Sequence, residues 1–333
     1  MSDTATQWIS NAHAGFGELR EQDDFLHTQG NPAGASATET YYFGFSVPEQ
    51  AINGFIYLWF HPNQGSVTAG VAIYRGACGP VQRAAFSDIR NHLIAAEHVD
   101  ADSGAMHFPM GLHLEPVMPL THWHVRLDER AGTGFALDFC AAQPPVVRAD
   151  QKHFDQAMHV TGTLLLEGHP YAVDCVQVRD RSWNNLRVED PLPVPPYDWL
   201  TLATHDGLAL NLSLFDDLSL LGPVPGIHVP PVLLQDGWVQ RNGVPRRIVA
   251  VDKQTERDPH THIPVRHRFT ATDEDGQRYV VDGEVVAGCA WNGWSNMVWH
   301  QGLVRWQVNG RQAWGESQEV QWQPLVSALF RQR

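Results

Sequence analysis

The sequence predicts an all-β protein made of two consecutive antiparallel β domains, each a barrel or sandwich, with few short helices. Three observations predict it. Amphipathic helical stretches are scarce along the 333 residues. Where apolar residues recur, they do so with a period of two, the repeat of a half-buried strand. The C-terminal third reads as hairpins: "HIPVRHRFTAT" passes through "DEDG" (273–276) into "QRYVVDGEVVAG", and "NMVWHQGLVRWQV" passes through "NG" (309–310) into "RQAWGESQEVQW". Asn-Gly between alternating runs is a strong hairpin signal, because both residues tolerate the positive φ of a tight turn. Consecutive hairpins imply a sandwich or an up-and-down barrel.

The remaining elements follow in chain order. "MSDTATQWISNAHAG" has no basic start followed by an apolar run, so no signal peptide is expected. "FIYLWF" (55–60), among the longest apolar runs, is strand-sized, so no membrane span is expected. "FSDIRNHLIAAEH" (86–98) is the best helical candidate and is expected as a short helix or an irregular turn. In "HWHVRLDER" (122–130), Trp123, Val125 and Leu127 alternate with His122, His124, Arg126 and Asp128, which predicts a strand with its histidines toward water. "EDPLPVPPYDW" (189–199) holds four of the 22 prolines. Proline removes a ladder donor, so this stretch is expected to link domains spanning 1–190 and 191–333. "LGPVPGIHVPPV" (221–232) is a second Pro-rich loop, inside the later half.

Composition narrows the function classes. With 23 Lys+Arg against 37 Asp+Glu, the formal charge is -14. Such a surface repels phosphate backbones, so no nucleic-acid partner is expected. The four cysteines are scattered without a C-x-x-C and are expected to be reduced, in the cytoplasm. Twelve Trp, fourteen Phe and seven Tyr supply buried area for cores or apolar pockets. No G-x-S-x-G elbow, P-loop or H-E-x-x-H occurs, so serine-triad, phosphate-loop and zincin chemistry lack local support. Among the eighteen histidines, His122 with His124 and His260 with His262 have the i, i+2 spacing of a strand chelate. The first pair lies on a polar face and the second beside a loop, so neither metal nor cofactor is expected.

Candidate chemistry lies in acids on apolar faces. In "VDCVQVRDRSWNN" (173–185), Val176, Val178 and Asp180 share one strand face, while Arg179 and Arg181 share the other. A carboxyl among valines is costly to ionise and so becomes a candidate general acid. The arginines are expected to turn outward and pin the strand end. In the last hairpin, Trp314, Glu316, Gln318, Val320 and Trp322 share a face, which frames Glu316 between tryptophans. Across that turn, Val298, His300, Val304 and Trp306 share a face, and His300 is the third catalytic candidate. The competing reading for each acid is a buried ion pair with an arginine such as Arg187 or Arg305.

Two motifs carry a family resemblance. "ETYYFGF" supplies Glu39, Tyr41, Tyr42 and Phe43, and "QVRDRSWNNLR" supplies Arg179, Asp180, Ser182 and Trp183. With "AWGESQEVQW" near the end, the chain resembles the AttH-like and carotenoid hydratase (hydroxyneurosporene synthase) superfamily, whose early motif is E-W-W-Y and whose middle motif is D-H-x-W-G. The likeness spans essentially the whole chain. Arg181 stands where the family has histidine, and Asn184 where it has glycine. The resemblance implies two lipocalin-like domains. It also implies that Asp180 protonates an alkene while aromatic residues stabilise the cation. Glu39, Tyr41, Tyr42, Trp183, Arg187, Trp291, Trp294 and Trp314 are the candidate substrate-binding residues.

Two functions remain open at this point. One is a cofactor-independent hydratase, isomerase or cyclase acting on an apolar terpenoid, steroid or polyketide-like molecule, with a pericyclic variant that needs only orientation. The other is a non-catalytic carrier of an apolar ligand, since fold alone does not decide function. A homodimer is allowed.

Overall fold

The computed structural model describes residues 15–27, 37–186, 192–216, 224–294 and 296–331, with Leu186 and Trp294 described by backbone alone. The first half forms β1 (Ala37–Val47), β2 (Ile52–His61), β3 (Ser66–Arg75), β4 (Ala77–Pro80), β5 (Phe86–Ile94), β6 (Met106–Phe108), β7 (Leu112–Met118), β8 (His122–Arg130), β9 (Thr133–Ala141), β10 (Val146–Val147), β11 (His153–Leu166) and β12 (His169–Leu186). The second forms β13 (Tyr197–Ala203), β14 (Leu208–Phe215), β15 (Leu234–Arg241), β16 (Val244–Arg257), β17 (Pro264–Asp273), β18 (Arg278–Trp294), β19 (Met297–Val308), β20 (Arg311–Trp322) and a terminal helix α1 (Gln323–Arg331). No helix among the described residues is long and apolar enough to cross a membrane.

The strands build two sheets. One runs β5-β3-β2-β1-β12-β11-β9-β8-β7-β6, with β10 on β11, and curls into a half-barrel. The other runs β17-β16-β15-β14-β13-β20-β19-β18, and pairing of β17 with β18 closes these eight into a barrel. The all-β, lipocalin-like architecture expected from the sequence is therefore present. One short strand crosses over: β4, from the first half, lies parallel on β18.

Local chemistry explains the elements. Asn309 and Gly310 have φ of 48° and 82°, the left-handed pair that the β19–β20 hairpin requires. The turn at 273–276 is held by Asp273, whose Oδ1 accepts the backbone N–H of Asp275 and Gln277. Trp123, Val125 and Leu127 are buried, while His122 and His124 are partly exposed and both bond Asp138.

The stretch 86–98 corrects its expectation. It is not helical over its length: Phe86–Ile94 is strand β5, followed by a three-residue 3-10 turn, Ala95–Glu97. The cause is a bulge. Arg90 pairs with Ala69 and Leu93 with Val67, so one extra residue sits in β5, and His92 takes a left-handed φ of 57°. A bulge breaks the period of two. It puts Ile89 and Leu93, four apart, against different cores, so the apolar positions of β5 do not alternate cleanly.

Among the described residues, three large apolar cores result, beside two small clusters. One fills the curl of the first sheet, around Tyr41, Phe43, Phe45, Trp123 and Val160. One plugs the barrel, around Leu200, Leu212, Phe269 and Trp306. Gly283 makes room there, because a Cβ at that position would lie 2.1 Å from the Trp306 ring. The third lies between the sheets and is rich in Trp and Tyr.

Candidate active site

The inter-sheet core is where acids and aromatic rings converge. On the first sheet, Tyr57 of β2, Tyr42 of β1, Asp180 of β12 and Asp155 of β11 stand in register across four neighbouring strands. Val176 and Val178 belong to this core, so alternation along β12 puts the Asp180 side chain on the same face. Asp180 is half-buried. The opposing face of the barrel brings Trp199, Trp291, Trp299 and Glu316. The Trp291 and Trp299 rings stack with centroids 5.6 Å apart, and Tyr57 packs edge-on against Trp299 at 5.1 Å. Tyr42 packs edge-on against Trp199 at 5.9 Å.

Glu316 is fully buried in this wall. Its Oε2 accepts a hydrogen bond from the Tyr42 hydroxyl at 2.8 Å, and its Oε1 accepts one from Asn53 Nδ2 at 2.7 Å. Asn53 also donates to the Tyr74 hydroxyl at 2.9 Å. Gly44 leaves space for the carboxyl, since a Cβ there would sit 3.0 Å from Oε2. Burial pushes the Glu316 carboxyl up to about 7. The bonds from Asn53, Tyr42 and Gln318 oppose that rise, and the charge of Asp180 adds to it. A carboxyl balanced near neutral pH can hold and release a proton.

The other sequence candidates lie elsewhere. Arg179 and Arg181 do face away from Asp180, but they do not turn to water. Both are buried in the curl of the first sheet, because acids from distant segments wait there. Arg179 Nη1 bonds Asp24 at 2.9 Å, and Arg181 Nη2 bonds Glu39 at 2.5 Å. Arg181 also lies 4.1 Å over the Tyr41 ring, and Trp183 stacks on His27 at 5.1 Å. Glu39, Tyr41 and Trp183 are thus on the face of the first sheet opposite Asp180. The two sequence motifs meet in the Glu39–Arg181 pair. Asn184, in the family's glycine position, has φ 52°, a left-handed conformation that asparagine tolerates better than most residues.

His300 is also separated from Asp180 and Glu316. It points into the barrel, in a polar end with Asp198, Asp216, Lys253, Arg257, His267 and Glu319. Burial pushes His300 below the usual imidazole range. Trp291 lines the inter-sheet wall, and Trp314 packs at its edge. Arg187 lies outside the described residues, and only the backbone of Trp294 is described. Sequence reasoning missed Asn53, Tyr57, Tyr74, Asp155, Trp199 and Trp299. Asn53 did leave a signal: it shares a strand face with Phe55, Tyr57 and Trp59, where an amide needs a polar partner.

Among the described residues two groups bring potential metal ligands together. His159 Nε2 lies 2.7 Å from Asp174 at the surface, with His205 beside them. Asp198, Asp216 and Glu319 converge inside the barrel. There, Lys253 already bridges Asp198 at 2.6 Å, and Arg257 bridges Asp216 and Glu319 at 2.7 and 2.5 Å.

Comparison with known families places the chain. The profile of a domain of unknown function, DUF7064, matches residues 20–324. The chain belongs to this family. No curated protein matches this chain. Solved structures do resemble it. A protein provisionally named AttH, from Nitrosomonas europaea, shares 14% identity at a TM-score of 0.65, over 92% of this chain and 97% of that one. CghA shares 11% at 0.56, over 96% and 97%. Kievitone hydratase from Nectria haematococca shares 8% at 0.50, over 95% of each chain. These likenesses bear out, at the level of fold, the AttH-like resemblance that the motifs carry.

Proposed function

We propose that this DUF7064 protein is a hydratase-type enzyme that adds water across an alkene of an apolar small molecule held between the two sheets. The observation that carries the reading is Glu316: a fully buried carboxyl raised to about 7 and bonded to Tyr42 in a wall of tryptophans. In this reading the Asp180 carboxyl, half-buried on the inter-sheet face, passes a proton to an alkene carbon. The faces of Trp199, Trp291 and Trp299 stabilise the cation that forms. Water attacks the cation and gives its extra proton to the Tyr42 oxygen as Tyr42 passes its own to Glu316, the direction in which that hydrogen bond already points. One C–O and one C–H bond form, one π bond is lost, and the proton returns from Glu316 to Asp180 through solvent. If water is excluded, the same cation closes a ring or loses a different proton, giving cyclisation or isomerisation. The name of kievitone hydratase, a structural neighbour, accords with the hydration reading. The proposal keeps two domains, 1–190 and 191–333, with the substrate between them and the protein in the cytoplasm.

The test is incubation with a panel of apolar alkenes in ¹⁸O-labelled water. Hydration predicts a product heavier by one labelled water, lost in both Glu316→Gln and Asp180→Asn. Deuterium uptake from heavy water without the added mass of a water would assign isomerisation or cyclisation. A ligand that co-purifies, stays bound and is returned unchanged would establish the carrier instead.

A further inference from the structure

The crossover strand β4 places two cysteines together that the sequence keeps far apart. Ala77 pairs with Gly288 and Gly79 with Cys289, and the register shifts between those pairs. Cys78 is the residue left in that shift, beside Cys289. The Cys78 thiol donates to the Gly79 carbonyl at 3.7 Å, and the two thiols are near enough for each to perturb the other's ionisation. Cys289 is buried and Cys78 is half-buried. Gly76 and Gly79 flank Cys78 with φ of 55° and 73°, and a Cβ on either would meet nothing within 4 Å. A small reagent can therefore approach Cys78 from outside.

We propose that Cys78 and Cys289 are a thiol pair that a low-molecular-weight disulfide such as oxidised glutathione converts into a cross-link between the two halves of the molecule. The thiolate of Cys78 attacks one sulfur of the reagent, forms a mixed disulfide and releases one glutathione thiolate. The thiolate of Cys289 then attacks the Cys78 sulfur and releases the second. The protein loses two thiol protons and two electrons, and the reagent gains them as two thiols. Cys78 is suited to attack first, because it is half-buried where Cys289 is buried, and Cys289 nearby favours its thiolate. Cys289 is held high by its contact with Cys78, by burial and by the neighbouring thiolate charge. Once Cys78 is capped, that negative charge is gone and Cys289 ionises more readily.

The location gives the cross-link a consequence. Tyr74, at the end of β3 just before β4, bonds the Asn53 that holds Glu316. Cys289 lies two residues before Trp291 on β18. Oxidation would fix the spacing of the two sheets beside the inter-sheet wall, whether or not that wall is catalytic.

Four proteins are compared under native conditions: the full chain, Cys78→Ser, Cys289→Ser and Cys140→Ser. Each is equilibrated in glutathione buffers of rising oxidised fraction, trapped with an alkylating agent, digested without reductant and mapped by mass spectrometry. A linked peptide pair joining 78 to 289, lighter by two hydrogens, is expected in the wild type and in Cys140→Ser. Cys289→Ser should instead hold a stable glutathione adduct on Cys78, and Cys78→Ser should leave Cys289 reduced. The oxidised wild type should unfold at higher urea than its reduced form, a shift Cys78→Ser does not show. Absence of the linked pair in excess oxidised glutathione would overturn the proposal, as would pairing through Cys140 or Cys175.

Discussion

Replacing Glu316 by glutamine should change how stability depends on pH. The carboxyl is moved from 4.5 to about 7 by burial. A tenfold change in proton affinity is about 1.4 kcal/mol, so ionising Glu316 inside the folded protein costs about 3 kcal/mol. Between those pH values the folded chain holds one proton more than the unfolded chain. The stability this group contributes is therefore complete below 4.5 and is lost as the pH rises through 7. Glutamine does not titrate. Its oxygen can accept from Asn53, and its amide can donate to the Tyr42 oxygen, so it fits with a small offset at every pH. Urea unfolding from pH 5 to 8 should show wild-type stability falling by up to about 3 kcal/mol relative to Glu316→Gln. Parallel curves across that range would refute the claim that the folded site raises this carboxyl, and with it the proposed proton store.

Other predictions follow from the same structure. Asp180→Asn should keep the fold and lower turnover on the order of 10²–10⁴-fold, the usual effect of removing an acid–base group, read from initial rates once a substrate is found. Arg181→Met should cost about 3–5 kcal/mol, because it leaves Glu39 buried without its cation, and adding Glu39→Gln should recover much of that loss in urea titrations. Gly283→Ala should lower stability by about 1–3 kcal/mol, since the new methyl meets the Trp306 ring, and thermal melting will show it.

The backbone was more legible than the site. Period-two alternation and the Asn-Gly turn gave the strands and their hairpins, because strand geometry writes directly into side-chain order. The same alternation separated Asp180 from Arg179 and Arg181. It did not say that both faces of β12 would be buried, one against the other sheet and one inside the curl. That depends on Asp24 and Glu39, which arrive from distant segments. Glu316 was visible as an acid between tryptophans. Its partners Tyr42 and Asn53 were not, because contacts between sheets follow from how the sheets stack, and no local spacing records that. The bulge at His92 hid a strand by breaking the alternation that would have marked it.

The β4 crossover makes the halves poor candidates for separate lives. A fragment beginning after residue 191 would keep its ring of eight strands, yet it would leave the free stretch of β18 at Gly288–Ala290 without its neighbour. Its tryptophans at 199, 291 and 299 would face water. An unpaired edge beside exposed rings invites self-association. Supplied with the matching first fragment, that edge would accept β4 as an added strand. Reunion of the two fragments would restore both the strand pairing and the aromatic seam.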